Sequence, residues 1–252
     1  MKLATAFVLL AISSAPLAAQ SKLSEWPQQS EDRPRPRVVR PGNVYTITPP
    51  ADAVVLFDGT SLDKWTSKDA PAKWRLEGGT FIAVPSAGPL RTRDSFGDVQ
   101  LHIEWATPSP AVGTGQDRGN SGVFFGDDRY EVQVLDSYEN QTYADGQAGS
   151  LYGQFPPLVN ASRAPGEWQM YDIVYHRPRF NTDGSLQSAA RMTVFHNGIL
   201  IQDNMELVGP TTYRKRTPYS AHVDRLPISL QDHGHPVRFR NVWLRDLERP
   251  SP

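Results

Sequence analysis

Met192-Thr193-Val194-Phe195-His196, then Asn197-Gly198, then Ile199-Leu200-Ile201 reads as two strands joined by a two-residue turn. Asn and Gly both tolerate positive φ, and a tight β-hairpin turn needs that at both central positions. The flanking residues are β-branched and aromatic, as strands prefer. The same grammar recurs on either side. Short apolar or alternating runs lie at residues 54–57, 80–84, 101–105, 122–125 and 130–135, then at 168–175, 227–230 and 237–244. The last of these leads into Arg238-Phe239-Arg240-Asn241-Val242-Trp243-Leu244-Arg245, whose polar and large residues alternate like a half-exposed strand. No amphipathic helix longer than two turns and no repeat of fixed period is visible. With 22 prolines and 19 glycines set largely between the runs, the expected fold is all-β, a jelly-roll sandwich of two antiparallel sheets.

The ends and the composition narrow the setting. Lys2, an apolar run over residues 3–12, and small residues through Ala18 and Ala19 have the layout of a secretory signal, with cleavage expected after Ala19. The run is too short to span a bilayer, which takes about 20 apolar residues. No membrane span is expected later either, so the chain is expected to be exported, to a periplasm or beyond. Residues 20–50 are polar and proline-rich, for example Arg33-Pro34-Arg35-Pro36-Arg37, and read as a spacer outside the core. A single domain is expected over residues 51–248. There is no cysteine, which removes disulfides, thiolate metal sites and a cysteine nucleophile. The net charge of -1 provides no global field for nucleic acid.

Chemistry concentrates in Asn120-Ser121-Gly122-Val123-Phe124-Phe125 followed by Tyr130-Glu131-Val132-Gln133-Val134-Leu135-Asp136. Glu131 and Gln133 are two apart on a strand and share a face. Asp136 falls on the opposite face unless a one-residue bulge returns it. Two close carboxylates repel, so one holds its proton near neutral pH, as acid/base catalysis requires. An exposed polar strand face without chemistry is the bland reading. Gln231-Asp232-His233-Gly234-His235-Pro236 sets two imidazoles one residue apart. As a metal signal the pair is weak; as residues beside the acids it is stronger. Gly149-Ser150-Leu151-Tyr152-Gly153-Gln154 offers Tyr152 for stacking and Gln154 as an amide, or else is an ordered loop. His102, His176, His196 and His222 read as structural or surface, and Trp168 as core. No Gly-x-Ser-x-Gly, phosphate-cradling loop or His-Glu-x-x-His occurs.

At these residues the chain resembles the 3-keto-disaccharide hydrolase domain family, also described as 3-keto-glucoside 1,2-lyases and 3-keto-2-hydroxy-glucal hydratases. The resemblance runs from about Leu56 to Asp246. It is carried by Leu56-Phe57-Asp58-Gly59-Thr60-Ser61-Leu62-Asp63-Lys64-Trp65, Asn120-Ser121-Gly122-Val123, the strand 130–137, Tyr152-Gly153, Gly166-Glu167-Trp168 and the stretch 231–241. It implies a concanavalin A-like jelly roll and sugar processing outside the cytoplasm. Glu131-x-Gln133-x-x-Asp136 also has the spacing of the bulged Glu-x-Asp-x-x-Glu strand in jelly-roll β-glucanases. Here the middle acid is an amide and the last is shorter, which puts ordinary retaining hydrolysis in doubt.

The reaction expected on this basis is elimination and hydration on a 3-keto-glycoside. Glu131 or His233 is the expected base, and Asp136 or the other group protonates the leaving oxygen. Asn120, Gln133, Tyr152, Gln154, Asp232 and His235 are the expected sugar-binding residues. No cofactor is certain; a divalent cation could polarise the ketone in place of a side chain. Two rivals remain: a conventional glycosidase using Glu131 and Asp136, and a non-catalytic carbohydrate-binding module.

Overall fold

The computed structural model describes residues 26–43, 46–68 and 70–248; the secretory-signal stretch lies outside them. Among the described residues the protein is two antiparallel sheets packed face to face. One sheet runs in the order Ile199–Glu206, Arg191–His196, Gln169–His176, Val99–Ala106, Arg238–Asp246, Thr80–Ile82 and Arg75–Glu77, with Val54–Phe57 also pairing to Arg238–Asp246. The other runs Ala70–Pro71, Trp65–Ser67, Leu90–Thr92, Ser229–Leu230, Ser121–Phe125 and Tyr130–Val134. A small ribbon pairs Arg179–Phe180 with Leu186–Ser188. Among the described residues, helix is confined to one three-residue 3-10 turn, Ala144–Gly146. No described helix is long and apolar enough to cross a membrane.

Period-2 alternation builds the core. Val99, Leu101, Ile103 and Trp105 point inward from one sheet, and Tyr130, Val132 and Val134 meet them from the other. The expected hairpin is present: Asn197 and Gly198 take φ of 53° and 78° between His196 and its partner Ile199. Asn197 then goes beyond its turn role. Its side chain donates to the Ala161 carbonyl and accepts from the Met170 amide, tying the hairpin to a loop and to the start of the strand Gln169–His176. The motif 56–65 is explained by packing as well. Trp65 is fully buried, and its indole N–H donates to the Leu56 carbonyl at 2.9 Å, so a large apolar ring enters the core without an orphaned donor.

Residues 26–39 are not a free spacer. Arg33 is buried, with its guanidinium 3.7 Å from the fully buried Asp145 carboxylate and donating to the Gln154 carbonyl. Val39 and Asn160 exchange backbone contacts, with Val39 N–H donating to Asn160 and Asn160 N–H to Arg37. Proline does hold this segment extended. What the composition could not reveal is the buried acid on the sandwich that makes an extended arginine-bearing chain a strap. Trp168 also departs from expectation. It is half-buried on the outer side of the larger sheet, with the Arg240 guanidinium 4.1 Å from its ring centre.

Candidate active site

The outward face of the smaller sheet carries the site. Glu131 pairs opposite Phe124, and Gln133 opposite Gly122, on adjacent antiparallel strands. Since Val132 and Val134 fill the core, Glu131 and Gln133 must look outward. Gly122 is required there for room: a Cβ on it would stand 2.5 Å from Glu131 Oε1. Loops then fold over this face, so Glu131 is only 5% exposed although it sits on the outside of the sandwich. Its backbone N–H donates to Thr211 Oγ1 at 3.0 Å, whereas its carboxylate accepts no hydrogen bond from any described residue. Burial without a compensating partner pushes its pKa up to about 8.

Around Glu131 lies a cavity of about 520 Å³, whose walls include Asn120, Gln133, Tyr143, Tyr152 and His233. The amides are pre-set by one another. Gln133 Nε2 donates to Gln116 Oε1 at 3.2 Å and to Asn120 Oδ1 at 3.3 Å, and Asn120 Nδ2 donates to the Gln116 carbonyl. Gln116 is in turn anchored to Thr142 Oγ1 and the Gly146 carbonyl. With its NH2 engaged, Gln133 leaves its carbonyl oxygen as an acceptor at the cavity. Across the cavity the Tyr152 and Tyr143 hydroxyls are hydrogen-bonded at 2.8 Å. Burial pushes the Tyr152 phenol up to about 12, with Tyr143 opposing and Glu131 adding to the rise, so it stays a neutral donor. His233 stands exposed at the rim, its ring stacked on His235 at 6.2 Å between centres.

Of the nine candidate residues, Asn120, Glu131, Gln133, Tyr152 and His233 share this cavity. Four do not. Alternation does break after the strand, because Val134 and Leu135 both enter the core. Asp136 nevertheless emerges beside Arg118, whose Nε donates to it at 2.7 Å, and accepts a second bond from the Tyr138 amide. It lines a neighbouring hollow of about 240 Å³ together with His235. His235 Nε2 lies 3.3 Å from Asp117. Asp232 shapes its own loop by accepting from the Gly234 amide and ties it to the turn at Gly88, whose amide it also accepts. Gln154 is consumed by backbone: it donates to the Gly209 and Pro210 carbonyls and accepts from Val208. No group of three or more His, Asp or Glu among the described residues is arranged to hold a metal ion.

Sequence reading missed Gln116, Tyr143 and the wall formed by Thr211, Thr212 and Tyr213. Tyr143 carried the one available signal, an aromatic nine residues before Tyr152. The 211–213 wall had none, because it is joined to Glu131 only through the fold. The remaining histidines are mostly structural. His196 is buried and bonds Gln169, with burial bringing its pKa down to about 3, and His102 is buried against Asp172 at 2.7 Å.

Residues 52–245 match the family described as the 3-keto-alpha-glucoside-1,2-lyase-like domain. A relative from Bacteroides thetaiotaomicron, a 3-keto-disaccharide hydrolase, is 24% identical over 245 residues, spanning 79% of this chain and 81% of that one. A crystal structure from Parabacteroides distasonis, described as a candidate glycosyl hydrolase, is 44% identical with a TM-score of 0.77, covering 85% of this chain and 93% of its own. A second candidate glycosyl hydrolase from that organism has a TM-score of 0.57 at 21% identity, covering 77% of this chain and 99% of its own, and shows the shared fold.

Proposed function

Because the chain belongs to the 3-keto-alpha-glucoside-1,2-lyase-like family, a family of carbohydrate-active hydrolases, we propose that it cleaves 3-keto-glycosides by elimination and hydration with Glu131 as the base. The observation that carries this reading is the Glu131 carboxylate, buried over a cavity with no partner among the described residues. A carboxylate that the fold leaves unpaired costs stability, and a pKa near 8 makes its ionised form, which grows as pH rises toward 8, a stronger base than an ordinary carboxylate.

A ketone at C3 acidifies the C2 proton, since the carbanion delocalises as an enolate. Glu131 removes that proton. The electron pair forms the C1–C2 double bond as the C1–O bond breaks, and the departing oxygen takes a proton from His233 at the rim. Water then adds, oxygen to C1 and proton to C2, so the two steps sum to hydrolysis. Gln133 and Asn120 hold ring hydroxyls, and the Tyr152 phenol donates toward the substrate as a neutral group. Asp136, ion-paired to Arg118, supports the shape of this region from the neighbouring hollow. We also read residues 1–19 as an export signal; an N-terminus at Gln20 in the mature protein, found by mass spectrometry, is the expected result.

The test is a matched pair of glucosides, with and without the C3 ketone. Cleavage is expected for the ketone alone, with deuterium entering C2 when the reaction runs in heavy water. Equal cleavage of the unoxidised glucoside would overturn the elimination reading.

A further inference from the structure

Residues 26–39 precede the stretch that matches the family, 52–245, yet they reach the back of the candidate cavity. We propose that this strap is a positioning element of the active site, clamping the 211–216 loop against the strand that carries Glu131.

Three contacts tie the strap to that loop. Gln28 Nε2 donates to the Thr212 carbonyl, Gln29 Oε1 accepts from the Arg214 amide at 3.1 Å, and the Trp26 carbonyl accepts from Arg216 at 3.3 Å. The same loop supplies Thr211, Thr212 and Tyr213 to the cavity, and Thr211 Oγ1 takes the Glu131 amide. The strap is itself pinned from below. Asp145 accepts from the Gln29 amide at 3.0 Å and pairs with Arg33, and the carbonyl of Asp145 takes the Gly153 amide beside Tyr152. Gly153 sits at a φ of 68°, and a Cβ there would press on the Gln28 amide and stand 3.1 Å from the Thr212 carbonyl. One segment thus touches the supports of both cavity walls, the Tyr143–Tyr152 side and the Thr211–Tyr213 side. Tyr213 is 61% exposed at the rim. Without the strap the loop would open on its own, because it carries few buried contacts.

The inference rests on the reading of the cavity as an active site, so its test has one arm that needs no substrate. The Gln28→Ala/Gln29→Ala double variant should raise KM for a 3-keto-glucoside about fivefold, as loss of two hydrogen bonds suggests, with kcat changed less than about twofold. Its pH–rate limb should move toward acid, since water entering beside Glu131 relieves the burial that raises its pKa. Amide hydrogen exchange across residues 211–216 should quicken by roughly tenfold. Gln28→Asn, which keeps the amide and shortens its reach, should change both in the same direction and by less. A folded double variant with unchanged KM and unchanged exchange at 211–216 overturns the proposal. Where the wild-type protein cleaves no 3-keto-glycoside, exchange alone decides: acceleration upholds the clamp and no change rejects it.

Discussion

Two buried glutamates, one on each sheet, behave in opposite ways. Glu104 lies on the outer side of the larger sheet and Glu131 on the outer side of the smaller one, at 1% and 5% exposure. Burial works against the charge of Glu104, but His102 at 3.7 Å, Asn241 at 2.8 Å and Arg240 at 2.6 Å outweigh it, and its pKa falls to about 2. Glu131 meets a heavier burial with no partner among the described residues, and its pKa rises to about 8. Residue type and solvent exposure are nearly matched, but Glu131 is set deeper among protein atoms, so its greater burial and its lack of partners together make the difference. A buried acid whose lone pairs are filled is a structural element; one left empty over a cavity is available for chemistry.

Exchanging the fates of these two residues tests that contrast. Glu131→Gln should lower turnover of a 3-keto-glucoside about a thousandfold, within the range for loss of a general base, while circular dichroism stays native. Activity within tenfold of wild type would remove Glu131 from the mechanism. Glu104→Ala should leave KM intact and cost about 2–3 kcal/mol in denaturant unfolding, less than a fully buried pair because Arg240 is a third exposed. The pH dependence carries a sign. A carboxyl whose folded pKa is raised stays protonated in the native state while the unfolded chain ionises. Its contribution therefore falls as pH rises from about 4.5 to about 8, by roughly 1.4 kcal/mol per pH unit. Glu131→Gln should accordingly gain stability relative to wild type across that window, and parallel stability curves would contradict the raised pKa. Smallest of all, Tyr143→Phe should raise KM about threefold by freeing the Tyr152 hydroxyl from its partner; an unchanged KM would detach the tyrosine pair from substrate binding.

Much of the scaffold was legible because strand signals are local. The Asn197-Gly198 turn and the runs 101–105 and 130–135 each follow from neighbours a few residues away. Short pieces such as Leu90–Thr92 and Arg75–Glu77 escaped notice, since three residues carry too little pattern. The site was half legible. Glu131 and Gln133 shared a face on spacing alone, and Asn120 arrived opposite them through one hairpin. Asp136 was read from a spacing that the chain honours in the core, through Val134 and Leu135, but Arg118, eighteen residues earlier, claims its carboxylate.

The order of residues was sufficient for the sandwich, for the outward direction of Glu131 and Gln133, and for the chemical menu of acids, amides and imidazoles, because side-chain direction in a strand is set by a two-residue period. Tertiary structure alone settled which of those groups kept their lone pairs. Gln154 and Asp232 lost theirs to backbone amides, Asp136 to a guanidinium, and Glu131 to no described residue. Partnership depends on which distant loops close over a residue, and loops such as 211–216 and the strap 26–39 meet Glu131 or its supports only after the two sheets have packed.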